Sequence, residues 1–221
     1  MSKLVWDQTG ARLYETGVEQ AAIFPMQGST YGAGEAWNGL TAITESPSGA
    51  EKTALWANNK KYGELISAEE FGGTIEAYTY PDGFAECNGE KKIAQGVTAG
   101  QQTRKPFGLV YKTLIGNDTE GTKHGYKLHF VYNATVSPSE KANNTVNESP
   151  EAGTMSWEFS TTPVEVEGCD PSAHIVIDST DCDEAKLKAV EEAVYGSESS
   201  EPKMLLPDEI VAIVGAAATA E

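Results

Sequence analysis

The sequence predicts a mainly β fold with one or two C-terminal α-helices. Apolar residues recur with period two along most of the chain, while helical periodicity is nearly confined to residues beyond 180. Gly, Pro, Asn and Asp bound each short run, as turn residues do between strands. With 221 residues and 39% hydrophobic side chains, the chain can bury the core of one large domain or two small ones.

Residues 12–24, 35–44 and 60–66 are the first strand candidates. In Thr74–Tyr80, Ile75 and Ala77 fall on one side and Glu76, Tyr78 and Tyr80 on the other. Phe107, Leu109 and Tyr111 alternate against Gly108, Val110 and Lys112. Leu128, Phe130 and Tyr132 do so against Lys127 and His129. Met155, Trp157 and Phe159 share a face over 154–160, and 173–178 is the last candidate. These runs are rich in β-branched and aromatic residues, which suit a pleated, half-buried surface. Aromatic side chains on both sides of 74–80 leave two readings open. Either the segment is buried a second time, against another subunit or a ligand, or Tyr78 and Tyr80 line the core while Ile75 and Ala77 lie under a helix.

The connectors differ in kind. Residues 116–125 read as a hairpin loop. Residues 44–61 form a longer mixed loop, polar at its ends but carrying Leu55 and Trp56. A long loop in a compact domain is usually functional, so Trp56 either meets a partner or folds back onto its own core. Residues 137–151, interrupted by Pro138 and Pro150, read as an extended surface loop.

At the C-terminal end, Asp181 with Glu184 suggests a capped helix over about 182–195. Leu187, Val190 and Val194 lie on one stripe, and Gly196 stops the run. A second helix follows the linker 197–202. Pro207 suits its first turn, Asp208 and Glu209 suit its dipole, and Gly215 ends it. Ala216–Glu221 is expected to fray. The chain divides into 1–196, a β domain with a packed helix, and 197–221, an acidic linker, short helix and tail, whose packing the sequence leaves open.

Lys and Arg number 16 against 33 Asp and Glu, a net charge of −17. Residues 1–139 carry 12 basic and 15 acidic side chains, and residues 140–221 carry 4 and 18. That balance argues against gripping the phosphates of nucleic acid. No run of about 18 apolar residues could span a membrane. The stretch MSKLVWDQTG puts acid and amide where a signal peptide needs apolar residues. Reduced thiols are therefore the default for Cys87, Cys169 and Cys182, although a Cys169–Cys182 bridge is conceivable. The Asn-x-Ser/Thr triplets at Asn117, Asn133, Asn143 and Asn147 read as plain turn and strand residues.

No active site is visible. His124, His129 and His174 read as separate structural or solvated residues, because their spacing supplies no third metal ligand. The acidic cluster Asp178, Asp181, Asp183 and Glu184 lacks the glycine turn of a calcium loop, and helix capping accounts for part of it. No nucleophile elbow, phosphate loop or dinucleotide fingerprint occurs. The expectation is no catalytic residue, no cofactor and no metal.

Several segments go further than pattern. Ser67-Ala-Glu-Glu-Phe-Gly-Gly-Thr-Ile-Glu-Ala-Tyr-Thr-Tyr-Pro-Asp82 is the most specific. With it go residues 36–42 (AWNGLTA), 101–104 (QQTR), 114–118 (LIGND), 124–128 (HGYKL) and 156–163 (SWEFSTTP). Together they resemble the major tail proteins, or tail-tube subunits, of long-tailed, non-contractile bacteriophages and prophages, over residues 4 to 195. The resemblance implies a β-sandwich tail-tube fold whose inner sheet joins those of five copies into a hexameric ring. Rings stack through a long loop to form the virion's tail tube, made in the bacterial host cytoplasm, through which DNA passes without specific binding. It implies the chain itself, the tape-measure, baseplate and tail-terminator proteins as partners, no membrane, and neither catalysis nor cofactor.

Within that picture Glu51, Lys52, Leu55 and Trp56 are candidates for the inter-ring stacking loop, and Thr74, Glu76, Tyr78 and Tyr80 for the ring-forming sheet. The alternative is a monomeric carbohydrate-binding β-sandwich with Trp37, Tyr78 or Tyr80 as stacking platforms and Asn117 and Asp118 as polar contacts. A hydrolase using paired carboxylates is the third possibility.

Overall fold

The structure, a computed structural model, describes residues 3–146, 148 and 152–215. It is mainly β, 46% strand and 11% helix. In chain order the elements begin with β1 (Tyr14–Gln27), β2 (Thr30–Tyr31), β3 (Glu35–Ala36), β4 (Leu40–Glu45), β5 (Ser48–Gly49) and β6 (Lys52–Ala57). Next come β7 (Lys60–Ile66), β8 (Glu69–Glu70), β9 (Gly72–Ala77), α1 (Phe84–Cys87), β10 (Lys91–Ala94) and β11 (Val97–Ala99). The chain ends with β12 (Phe107–Asn117), β13 (Gly121–Val136), β14 (Met155–Ser160), β15 (His174–Asp178), α2 (Glu184–Tyr195) and α3 (Pro207–Val214).

The main sheet is antiparallel and runs β2-β1-β12-β13-β14-β9-β4, with β15 added beside β13 and β3 beside β1. One long strand makes this possible. Lys127–Val131 of β13 pairs with β15, while Thr135 and Val136 pair with β14. Between these stretches, Tyr132 and Asn133 oppose Gly108 alone, and Asn133 takes φ +47°. Such a bulge bends a strand, and asparagine tolerates the left-handed region better than most residues. Beyond it β13 leaves the first half of the sheet for the second.

The two halves enclose one core. Ala21, Ile23, Leu109, Tyr111 and Val131 from the first half meet Ile75, Ala77, Trp157 and Phe159 from the second, with Trp37, Phe84 and Phe107 closing one end. The opposite face of the first half is buried too. Ala22, Phe24, Val110, Leu128, Phe130 and Tyr132 pack under Leu187, Val190 and Val194 of α2 and Ile210 of α3. Met204 and Leu205 fill the same layer, and the Tyr132 hydroxyl donates to the Leu205 carbonyl at 2.9 Å. Residues 203–214 therefore pack against their own sheet.

Several expectations need correcting. The first helix is capped by Asp183, not Asp181, since Asp183 Oδ1 accepts from the Ala185 and Lys186 N–H groups. In 116–125 only Asp118–Glu120 is turn, because Asn117 pairs with Gly121 and the strands continue. The alternation proposed for 74–80 stops at Ala77, where β9 ends. Pro81 lies just beyond, and a proline restricts the residue before it. Tyr80 consequently swings to the core side, edge-on to Phe84 and Trp157. The core-lining reading holds only in part: Tyr80 does line the core, but Ile75 and Ala77 face the opposing sheet rather than a helix, and Tyr78 is exposed. The expected fraying of Ala216–Glu221, the Asn147 triplet and the Pro150 end of the surface loop fall outside the described residues.

All three cysteines are free thiols. Burial pushes the Cys87 thiol up to about 12, so it behaves as a small apolar side chain.

Candidate functional site

The second half of the sandwich is a narrow sheet of three strands, β4, β9 and β14. Ile43, Ile75, Ala77, Trp157 and Phe159 turn inward. Because strand side chains alternate, Ala42, Thr44, Thr74, Glu76, Ser156 and Glu158 turn outward. The ladder aligns them in two rows: Ala42–Glu76–Ser156 and Thr44–Thr74–Glu158. All six are small, polar or acidic, and none is basic. No described helix or strand covers this face as α2 and α3 cover the other half.

Neither margin of this sheet has a full-length strand partner. Strand β4 ends the pairing order and is hydrogen-bonded to no strand but β9, although β1 approaches it. On the other margin, β13 pairs with β14 only at Phe159 and Ser160, so Met155–Trp157 meets no described strand on that side. Open margins present unpaired N–H and C=O groups in register for another chain.

From the same sheet projects an arm. Residues 46–71, between β4 and β9, form a hairpin rather than the loop expected over 44–61. Strand β5 pairs with β8 at its root, and β6 with β7 beyond. Asn58 and Asn59 make the tip at φ +50° and +61°, the left-handed pair that a two-residue hairpin turn demands. No residue of β6 or β7 is buried. Trp56 is 71% exposed and Tyr62 80%, and Leu55, Leu65 and Ile66 are exposed as well, so Trp56 does not fold onto its own core. Leu55 and Leu65 share one face of the arm, and Ile66 lies on the other beside Lys52. Glu51 sits at the root, where its carbonyl accepts from the Ser67 N–H and its own N–H donates to Ser67 Oγ.

Of the sheet candidates, Thr74 and Glu76 therefore lie on the outward face. Tyr78 lies past the strand end, and Tyr80 is tucked inward with its hydroxyl donating to Glu90. Burial, together with the Glu90 charge, raises the Tyr80 pKa. The platforms of the carbohydrate alternative are not assembled. Trp37 is 4% exposed and donates Nε1–H to the Thr79 carbonyl at 2.9 Å. Asn117 is consumed by its turn, its Oδ1 accepting from the Thr119 and Glu120 N–H groups. Asp118 accepts from the Gly10 N–H and faces Arg12. Only Tyr78 remains free, and one ring makes no sugar site.

A second grouping was not visible in the sequence. His124 is separate, bonded to Glu120 at the β12–β13 turn. His129 and His174 are not separate. Pairing of β13 with β15 brings His129 Nδ1 to 3.1 Å from His174 Nε2, and Glu45 reaches the pair from the facing sheet. Only the register of that pairing could have revealed it.

No family model and no curated protein matches the chain. Among solved structures, a chain of the sheath–tube complex of an extracellular contractile injection system (PVC), in its extended state, aligns with 72% of this chain and 88% of its own length. It does so at 11% identity and a TM-score of 0.29, too slight a likeness to transfer a fold or a role. No helix among the described residues is long and apolar enough to cross a membrane.

Proposed function

We propose that this protein is a structural, self-assembling subunit of a phage-type tail tube, forming stacked hexameric rings around a channel that conducts DNA. The observation that carries the reading is the three-stranded sheet β4–β9–β14, without a full-length strand partner at either margin and bare of basic groups on its outward face. Joining the β4 margin of one copy to the β14 margin of the next is a head-to-tail contact, and such contacts close rings when the rotation per copy closes. The outward faces then line the hole. A conduit for DNA must not hold it, and Glu76 and Glu158 repel phosphate where a lysine would bind it.

The arm supplies the second contact. An isolated two-stranded hairpin is at best marginally stable in water, and this one exposes Trp56, Tyr62, Leu65 and Ile66. Seating those side chains on the adjacent ring would bury them and anchor the stack. The six-fold count and the tape-measure, baseplate and terminator partners follow from the resemblance of the 67–82 block to tail-tube subunits. No enzymatic step or cofactor belongs to this reading.

Negative-stain microscopy of the concentrated protein tests it. Rings or rods with a central channel are expected. A protein that stays monomeric under all conditions and is retarded on a glycan column would favour the carbohydrate-binding alternative.

A further inference from the structure

The ligand atoms of Glu45, His129 and His174 lie within 4.8 Å of one another, although the residues come from β4, β13 and β15. Between His129 Nδ1 and His174 Nε2 the distance is 3.1 Å, and Glu45 Oε1 lies 3.5 Å from His129 Nδ1. Zinc takes imidazole nitrogen and carboxylate oxygen at about 2.0–2.2 Å in tetrahedral array, which places neighbouring donor atoms about 3.3–3.5 Å apart. These two spacings need only a few tenths of an ångström of adjustment, and the third, between Glu45 and His174, lies within 4.8 Å.

The surroundings orient the same donors. Thr113 Oγ1 lies 2.9 Å from His129 Nε2, so that nitrogen can hold the ring proton and leave Nδ1 as the free lone pair. The Tyr111 hydroxyl donates to Glu45 Oε1 at 2.7 Å. Tyr111 stacks on His129 and Phe71 on His174, which fixes both ring planes. His129 is enclosed, but the Glu45 side chain is 39% exposed, so the group opens to solvent on the carboxylate side.

We propose that Glu45, His129 and His174 form a mononuclear zinc site in which water takes the fourth position. Its place in the fold puts it at the root of the arm. Glu45 is the last residue of β4 and Phe71 immediately precedes β9, so the site sits where the arm leaves and rejoins the body. Bound zinc would tie the arm's root to β13 and β15. That consequence for the arm's direction rests on the assembly reading; the site itself does not.

The test uses full-length protein stripped by a chelator, titrated as the unassembled chain with zinc chloride by calorimetry and with cobalt(II) by visible absorption. One zinc per chain is expected, with a melting temperature that rises with zinc concentration. Cobalt should give the intense d–d bands of a tetrahedral site without thiolate charge-transfer bands. His174→Gln and Glu45→Gln should each weaken zinc binding by more than about tenfold, with the far-ultraviolet circular dichroism unchanged. Absence of saturable binding, a thiolate signature, or wild-type affinity in both variants would overturn the proposal. If His174→Gln fails to fold, the wild-type cobalt spectrum and Glu45→Gln decide. Because the titration is read on unassembled chains, its outcome is independent of whether rings form.

Discussion

Two hairpins of this molecule are built alike and end differently. The β12–β13 pair and the β6–β7 pair are both antiparallel, both are joined by tight turns, and both carry aromatic and branched residues. In the first, Leu109, Val110, Phe130 and Val131 are fully buried, on two faces at once, between the second half-sheet and the helices. In the second, nothing is buried. Aromatic and branched residues thus mark a strand without saying what covers it. Where the chain's own layers run out under apolar side chains, as at the arm, the missing cover is the strongest physical argument for a partner.

The sharpest way to break that comparison is to strike each hairpin in turn. Phe130→Ala removes a fully buried ring from the helix-side core and should cost about 3–5 kcal/mol in urea unfolding, abolishing assembly because the fold fails. A smaller loss separates the two acids before α2. Asp183→Ala should cost about 1 kcal/mol by leaving helix N–H groups uncapped, whereas Asp181→Ala should change stability by less than about half of that. Trp56→Ala should leave monomer stability within about 0.5 kcal/mol yet abolish rods by electron microscopy. A monomer that melts early in that variant would place Trp56 in its own core after all. The mildest effect concerns charge. Copies at −17 apiece repel one another, and salt screens that repulsion over roughly 8–10 Å. Turbidity should therefore show assembly quickening as salt rises; preformed tubes that dissolve in salt would mean that the contacts are ionic.

How much of this was legible beforehand varies with the physics involved. Strand 60–66 matches β7 residue for residue, and 107–114, 154–160 and 173–178 fall within a few residues of β12, β14 and β15, because one wet or differently packed face imposes period two. Strand β6 was missed because Asn58-Asn59 is a weaker hairpin signal than Asn-Gly and the flanking Lys52–Ala57 has no buried face to enforce a pattern. Tyr80 was placed on the side opposite Ile75 because alternation was extended past a strand end that Pro81 helps to set.

The sequence by itself determined the class of structure, the positions of most strands and both C-terminal helices, the uneven charge, and the apolar content of the segment around Trp56. These depend on local periodicity and composition, which a linear chain displays openly. Only the tertiary structure decided that β13 bends through a bulge into the second half-sheet, that this half-sheet lacks a full-length strand partner at either margin and keeps an outward face without basic groups, and that Glu45 meets His129 and His174. Those facts depend on strand register across separations of tens of residues, and register is fixed by how whole faces pack, not by any residue's neighbours along the chain.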